Sequence, residues 1–419
     1  MKKSNDCLKS KLLLYAHYYS PDVASTGQIL QDLAEGMKDV FDITVICTVP
    51  SYSGIVADKY KQKKYYYENI NDVNVVRIRV PEFTKSNKLS RIKNIISYFF
   101  GAINVTKKLG KFDYVYTISQ PPILGGLLGV TGKRITKGKL IYNIQDFNPE
   151  QVMAVNYSKN KLILKLMMYF DKKSCRKSDL VITVGRDMQQ TLYSRFKNKK
   201  IPKNVVINNW INEKEVYPLD KNTKEIVEFK KKYNINDKFV IMYSGNIGLY
   251  YDLENIFPII DKFKEEKNVV FAFVGDGSIK KKLENISKEK SMNNVVFIPY
   301  QDKKDLIYSL NAADVHLVTN AKGIKGVSVP SKIYGCLATN VPVLGILEND
   351  TEAYKIIQES NCGIIAETGN YKDIETKLSK IIKEKYNFVR KHSTGRKYLE
   401  EKLTKDKSIE KYISEIEKI

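Results

Sequence analysis

Short apolar runs alternate with longer amphipathic stretches along the whole chain. In the first half, runs rich in Val, Ile and Leu lie at 11–17, 43–48, 73–80, 114–118, 139–143, 180–184 and 205–207. Runs of this length without polar alternation predict strands of a parallel sheet buried on both faces. Between them, helical spacing of apolar residues predicts helices over 27–40, 89–109 and 161–177. A polar, charged stretch at 209–237 predicts a linker with one short helix at 224–233. The pattern then restarts, with strands predicted at 239–243, 269–274, 295–297, 315–318, 343–345 and 363–365, and helices at 253–266, 279–290, 303–312, 332–338, 352–359 and 371–385. The charged end, 394–419, predicts one or two helices. No internal repeat is visible. The fold class is therefore α/β, with two doubly wound halves. The expected domains are 1–208, a linker at 209–237, 238–395, and a helical segment at 396–419 that crosses back to the first domain. Two such sheets facing one another bind ligands in the crevice at the carboxyl ends of their strands.

Composition narrows the chemistry. The 419 residues carry 70 Lys and Arg against 47 Asp and Glu, and the excess is lopsided. Residues 1–200 hold 34 basic and 16 acidic groups, and 85–200 alone hold 23 and 6. One half of the molecule thus generates most of the positive field. Only nine of the basic residues are Arg. That disfavours base-edge readout of nucleic acid and suits attraction to anionic lipid. Five scattered Cys form no C-x-x-C pair, and three His (His17, His316, His392) leave little for a histidine-rich metal site. His17, ending the first strand, reads as a core residue. No apolar stretch reaches the roughly 20 residues needed to span a bilayer. A cytoplasmic protein is expected, with any membrane contact peripheral.

Four glycine-containing strand-to-helix turns carry the candidate chemistry: 18–28, 243–248, 274–278 and 322–332. Each can aim backbone N–H groups and a helix start at an anion. None matches G-x-G-x-x-G or the P-loop, which argues against dinucleotide redox and P-loop chemistry. Four at one edge of two sheets suit a phosphorylated ligand.

The ordered segments SGNIG, VGDGS, NVVFIPY, LNAADV and VPSKIYGCLATNVPV resemble the donor-nucleotide domain of glycosyltransferase family 4, the retaining GT-B enzymes. In the first half, YYSPDVASTGQ, SQPPILGG, IYNIQDFNPE, SDLVITVG and VINNWIN are similar to the matching acceptor domain. The likeness is closest to the branch typified by L-fucosamine transferases of bacterial surface-polysaccharide assembly. It implies a GT-B fold, two Rossmann-like domains facing across a cleft. It also implies a hexosyl- or acetamidohexosyl-transferase that moves a sugar from a nucleotide-diphosphate donor, UDP-linked, to a lipid-diphosphate-linked acceptor, with retained configuration and without a metal or other cofactor. Carried over residue by residue, Gly27 approaches the donor diphosphate from the first domain. Ser244, Gly245, Asn246, Gly248 and Gly275 line its phosphate side, Tyr300 meets the base, and Ser331 and Lys332 open a helix beneath the diphosphate. The family's paired glutamates align with Val327 and Gly335 and are absent, as are the Arg and Lys usual near the first turn of the second domain. Lys332 and Lys325 are the candidate replacement cations.

Two acids follow the strand at 139–143. Asp146 and Glu150 can hydrogen-bond an acceptor hydroxyl or take its proton. Alternatively Asp146 or Asn148 caps the next helix, with Pro149 in its first turn. The runner-up functions are another GT-B enzyme such as a nucleotide-sugar epimerase, and a non-catalytic lipid- or nucleic-acid-binding module. Finally, residues 85–112 hold seven basic groups and no acid. Among these lie the helical stripe 89, 92, 96, 99, 103 and the neighbouring Phe100. With Arg91, Lys93, Phe99, Lys107 and Lys108, this predicts an interfacial helix facing an anionic membrane at its inner surface. The competing reading is that the stripe packs on the sheet.

Overall fold

The computed structural model describes residues 9–22, 25–84, 87–154, 160–197 and 200–419. Val23, Ala24 and Lys85, which fall in two of the segments read above, lie outside the described residues.

The first domain contributes β1 (Ser10–Tyr15), β2 (Phe41–Thr48), β3 (Tyr65–Ile70), β4 (Val73–Ile78), β5 (Tyr114–Ile118), β6 (Lys139–Ile144), β7 (Leu180–Thr183) and β8 (Asn204–Val206). They form one sheet in the order β3-β4-β2-β1-β5-β6-β7-β8. The second domain contributes β9 (Phe239–Ser244), β10 (Val269–Val274), β11 (Val295–Ile298), β12 (Val315–Thr319), β13 (Val343–Leu347) and β14 (Gly363–Glu367), ordered β11-β10-β9-β12-β13-β14. Every pairing is parallel except β3 with β4. The interior strands bury both faces, as their apolar runs require: β10 is buried at all six positions.

Strand order reverses at β1, flanked by β2 and β5, and at β9, flanked by β10 and β12. These are the points where successive crossovers diverge to opposite sides and open a crevice. The loops that leave them carry YYSPD, SQPP, SGNIG and the 320–331 segment, so the fold brings these distant pieces of chain to one cleft.

Several elements differ from the sequence expectation, three of them instructively. β3 was not foreseen, because its Tyr-Tyr-Tyr-Glu-Asn pattern belongs to a half-exposed edge strand rather than a buried one. The helix Leu124–Thr136 was hidden by its glycines. Those glycines let it sink onto the sheet: a Cβ at Gly125, Gly129 or Gly132 would strike the Ile118 carbonyl, Thr117 or the Tyr15 ring. The helix expected over 253–266 ends at Asp261, and turns follow.

The chain ends in two helices. Gly395–Lys402 buries Leu399 in the second domain's core, whereas Lys405–Glu417 lays Ile409, Tyr412 and Ile416 into the first domain's core. Thr404 caps the latter, accepting from the Lys407 N–H at 3.3 Å. Tyr412 is fully buried, stacks edge-on against Trp210, and accepts a hydrogen bond from the Asn143 amide, which also donates to Tyr116 at 2.8 Å. Tyr412→Ala removes a large buried ring and strands a buried amide. It is expected to destabilise the first domain by about 3–5 kcal/mol in urea denaturation. A loss under about 1 kcal/mol would make the terminal helix a passive tail.

Candidate active site

The cleft holds two adjoining cavities of about 210 and 410 Å³ that share Gln28, Ile211, Lys303, Leu306 and Ser331 as walls. Six of the sequence candidates line the smaller one: Ser244, Gly245, Gly275, Tyr300, Ser331 and Lys332. Asp146 and Asn246 line the larger.

Gly245 and Gly275 are required by geometry. Their φ values are +134° and +138°, outside what side-chain-bearing residues adopt comfortably, and a Cβ on Gly275 would overlap the Gly245 carbonyl. The two turns therefore nest against each other. Tyr243 fastens the first turn by donating its hydroxyl to the Asn246 carbonyl at 2.6 Å.

Beside Lys303, Lys332 is the second lysine that lines the smaller cavity. It is half-buried, and its Nζ stands 3.7 Å from the centre of the Tyr251 ring and 4.8 Å from that of Tyr243. Burial pulls its pKa down to about 7. This aromatic cage had no signal in the sequence, since Tyr243 and Tyr251 read as a strand residue and a loop residue.

Asp146 sits at the cleft's far wall. Its carboxylate accepts from the Gln120 side chain at 3.3 Å, and burial raises its pKa to about 6. Its backbone bridges Ser328 of the second domain, so it lies where the domains meet. Its N–H donates to Ser119 Oγ at 3.2 Å. That arrangement turns the carboxyl toward the cleft rather than toward the next helix.

Other candidates lie elsewhere. Glu150 is held by Arg195, which donates to it at 2.8 and 2.5 Å and also pairs with the buried Asp171. It is a structural ion-pair partner, not a cleft acid. Lys325 lies outside both cavities: its N–H and that of Gly323 wrap the Glu348 carboxylate at 2.9 Å each, and its ammonium stands 4.0 Å from Asp350. Gly27 turns its bare Cα toward the Tyr18 carbonyl, 3.0 Å from where a Cβ would sit, while its neighbours Thr26 and Gln28 line the cleft. Gly248 likewise faces the Asn246 side chain. Gly335 lines the smaller cavity, and Val327 is buried between the domains. His17 is buried and hydrogen-bonded to Asn94 at 3.2 Å, with burial lowering its pKa to about 4. Among the described residues, no group of three or more His, Cys, Asp or Glu is placed to hold a metal ion.

On the first domain's outer face, the helix Lys88–Leu109 buries Asn94, Tyr98, Gly101, Ala102, Val105 and Thr106. It exposes Leu89 (71%), Ile92, Ile96 and Phe100 (60%) beside exposed Arg91, Lys93, Lys107 and Lys108. The outward ladder is therefore 89, 92, 96, 100. Phe99 and Ile103, expected on it, pack partly against the core instead, because the helix turns its 98–102–105 side to the sheet. Helix Lys161–Lys177 similarly exposes Leu162, Ile163, Leu166 and Tyr169. No helix among the described residues is long and apolar enough to cross a membrane.

Comparison with known proteins agrees with this geometry. Residues 225–398 match the family described as glycosyl transferases group 1. The chain is 27% identical over 364 residues to the probable glycosyltransferase WbjE of Pseudomonas aeruginosa, covering 84% of this chain and 85% of that one. It is 24% identical over 429 residues to the putative colanic acid biosynthesis glycosyl transferase WcaI of Escherichia coli, covering 97% and 99%. Among solved structures it superposes on sucrose-phosphate synthase of Thermosynechococcus elongatus with a TM-score of 0.77 at 12% identity, covering 98% and 99%. It also superposes on Anabaena HepE in complex with UDP-glucose, with a TM-score of 0.70 at 13% identity, covering 98% and 100%. The fold is GT-B, and the match to the glycosyl transferases group 1 family falls mainly on the second domain.

Arg195→Met would leave Asp171 and Glu150 facing each other without their cation. We expect a loss of about 3–5 kcal/mol in chemical denaturation, the cost of breaking a buried ion pair from one side. A stability within about 0.5 kcal/mol of wild type would return Glu150 to the list of free acids.

Proposed function

We propose that the protein is a retaining glycosyltransferase that moves a sugar from a UDP-linked donor to a lipid-diphosphate-linked acceptor in bacterial surface-polysaccharide synthesis. The observation that carries the reading is the smaller cavity. Two nested glycine turns and the start of the helix Lys332–Ala338 converge there on the Lys332 ammonium, and Lys303 stands on the same cavity's wall. Such a site neutralises a departing diphosphate, which is the main electrostatic demand of the reaction. The relatives WbjE and WcaI, named as glycosyltransferases, and the UDP-glucose held by HepE support the donor class. The resemblance to the L-fucosamine-transferase branch favours an acetamido sugar.

The acceptor occupies the larger cavity. Asp146, as the carboxylate, hydrogen-bonds the attacking hydroxyl and receives its proton. No metal or other cofactor is required, because Lys332 and the turn N–H groups supply the positive charge. Incubation with a panel of nucleotide sugars and a lipid-linked acceptor, in the presence of a chelator, should release UDP from one donor. An epimerised donor with no transfer would overturn the reading.

The acid limb of the rate identifies the base. The Asp146 pKa of about 6 lies above its ordinary value, so the carboxylate is lost as pH falls through 6. The rate should drop about tenfold per unit below that point. Asp146→Asn should lower turnover about 10²–10⁴-fold and abolish the limb. Wild-type turnover in Asp146→Asn would remove the residue from the chemistry.

The exposed ladders on the helices Lys88–Leu109 and Lys161–Lys177 dock the first domain on an anionic membrane at its inner face. Each lysine near such a surface contributes about 1 kcal/mol, so four or five suffice for reversible binding. The protein should sediment with phosphatidylglycerol vesicles at low salt and be released at 1 M salt, where screening shortens to about 3 Å. Replacing Arg91, Lys93, Lys107 and Lys108 with Gln should lower the bound fraction at an unchanged melting temperature. Equal partition onto neutral vesicles would overturn the electrostatic account.

A further inference from the structure

Lys332 is unusual in what surrounds it. An ammonium group in a partly dry site ordinarily has a carboxylate partner. Here the groups facing it are Tyr243 from β9, Tyr251 from the turn Leu249–Tyr251, and Cys336 one turn on in its own helix. His316 and Lys303 line the same cavity. Burial keeps the His316 pKa near 4, and its Nε2 lies 3.1 Å from the Leu310 carbonyl, so it adds no charge near neutral pH. The absent Cβ of Gly245 is what lets the lysine chain lie there: a methyl group would sit 2.8 Å from Lys332 Cε.

We infer that Tyr251, with Tyr243, is a positioning residue for Lys332, holding its ammonium over the donor cavity by ring-face attraction alone, so that a bound nucleoside diphosphate is its first counter-ion. The inference rests on the donor reading above and deepens it. A ring face attracts a cation without neutralising it. A carboxylate in the same place would pair with the ammonium and have to be displaced by every incoming diphosphate. The rings also exclude water, which is why the group loses its proton so readily when the site is empty.

A consequence in pH follows. The Lys332 pKa is lowered to about 7 in the free protein. A diphosphate beside it favours the charged form and raises that value. Binding above neutral pH therefore takes up a proton, and affinity falls as pH rises, by up to about tenfold per unit.

The test uses UDP as the probe, with dissociation constants measured by calorimetry from pH 6 to 9 on the full chain. Wild type should show affinity declining above about pH 7, and Lys332→Ala should bind weakly and without that decline. Tyr251→Phe keeps the ring and should match wild type within about twofold. Tyr251→Leu should bind UDP about tenfold more weakly at pH 6.5. Its pH midpoint should move upward, because water returns to the ammonium. Melting curves check each variant, and Tyr251→Met replaces Tyr251→Leu if the latter does not fold. Wild-type affinity and midpoint in the variant without a ring would overturn the cage while leaving the donor site intact. Weakening in Tyr251→Phe equal to that in Tyr251→Leu would overturn it too, by assigning the effect to the hydroxyl. Failure of wild type to bind UDP or any other nucleoside diphosphate would overturn both readings together.

Discussion

Everything in the cleft depends on how the two domains are held edge to edge. The Phe147 N–H donates to the Val327 carbonyl at 2.9 Å, and Asp146 bridges Ser328 beside it. Around this seam, Val327 and Val329 enter a buried cluster with Phe147, Val184, Met188 and Leu192 of the first domain. The nearly buried Glu352 accepts the Arg186 N–H at 2.7 Å, its guanidinium at 2.9 Å and the Asn208 amide at 3.0 Å. The Gly326 N–H donates to Asp187 at 2.9 Å. A buried backbone group left unpaired costs free energy comparable to a lost hydrogen bond, so these contacts fix the register of one sheet edge against the other. Asp146 and Lys332 come from opposite domains, and only this seam sets their relation.

The seam also explains the residue found at position 327. A glutamate at position 327 would place a carboxylate in the apolar cluster, where desolvation would push it toward the neutral form. Valine serves the packing instead. At position 335, glycine leaves open cavity wall, and the nearest atom to a Cβ there is Leu310 Cδ1 at 3.2 Å.

The strands were legible because a strand buried on both faces needs a continuous apolar run, and that demand is written locally. Elements governed by neighbours were not. The helix Leu124–Thr136 reads as a poor helix until the sheet it sinks into is known. β3 shows aromatic and charged residues because only one side of it is covered. The same division holds at the site. The glycine turns were visible, since a tight turn needs glycine wherever it occurs. Glu150 could not be told from Asp146 by local sequence, because what separates them is Arg195, 45 residues away. Lys325 and Lys332 likewise differ only in what the fold sets beside them: the 348–350 loop for one, two tyrosine rings for the other.

Two titratable groups of the cleft, Asp146 and Lys332, are moved toward one another by one cause. Desolvation raises the acid to about 6 and lowers the base to about 7. In water the same side chains titrate more than six units apart. Near neutral pH Asp146 is therefore mostly ionised and Lys332 is shared between its two forms, beside the Asp32, Glu215 and Lys303 side chains that also line the cleft. On the proposed donor reading, a diphosphate would change this balance in both places. Its charge favours the protonated lysine, which strengthens its own hold. It also raises the carboxyl pKa and so weakens the base. Pairs of groups whose environments shift their pKa values in this way mark where protons move. In this cleft burial produces both shifts, at the domain seam for Asp146 and beneath the Tyr243 and Tyr251 rings for Lys332.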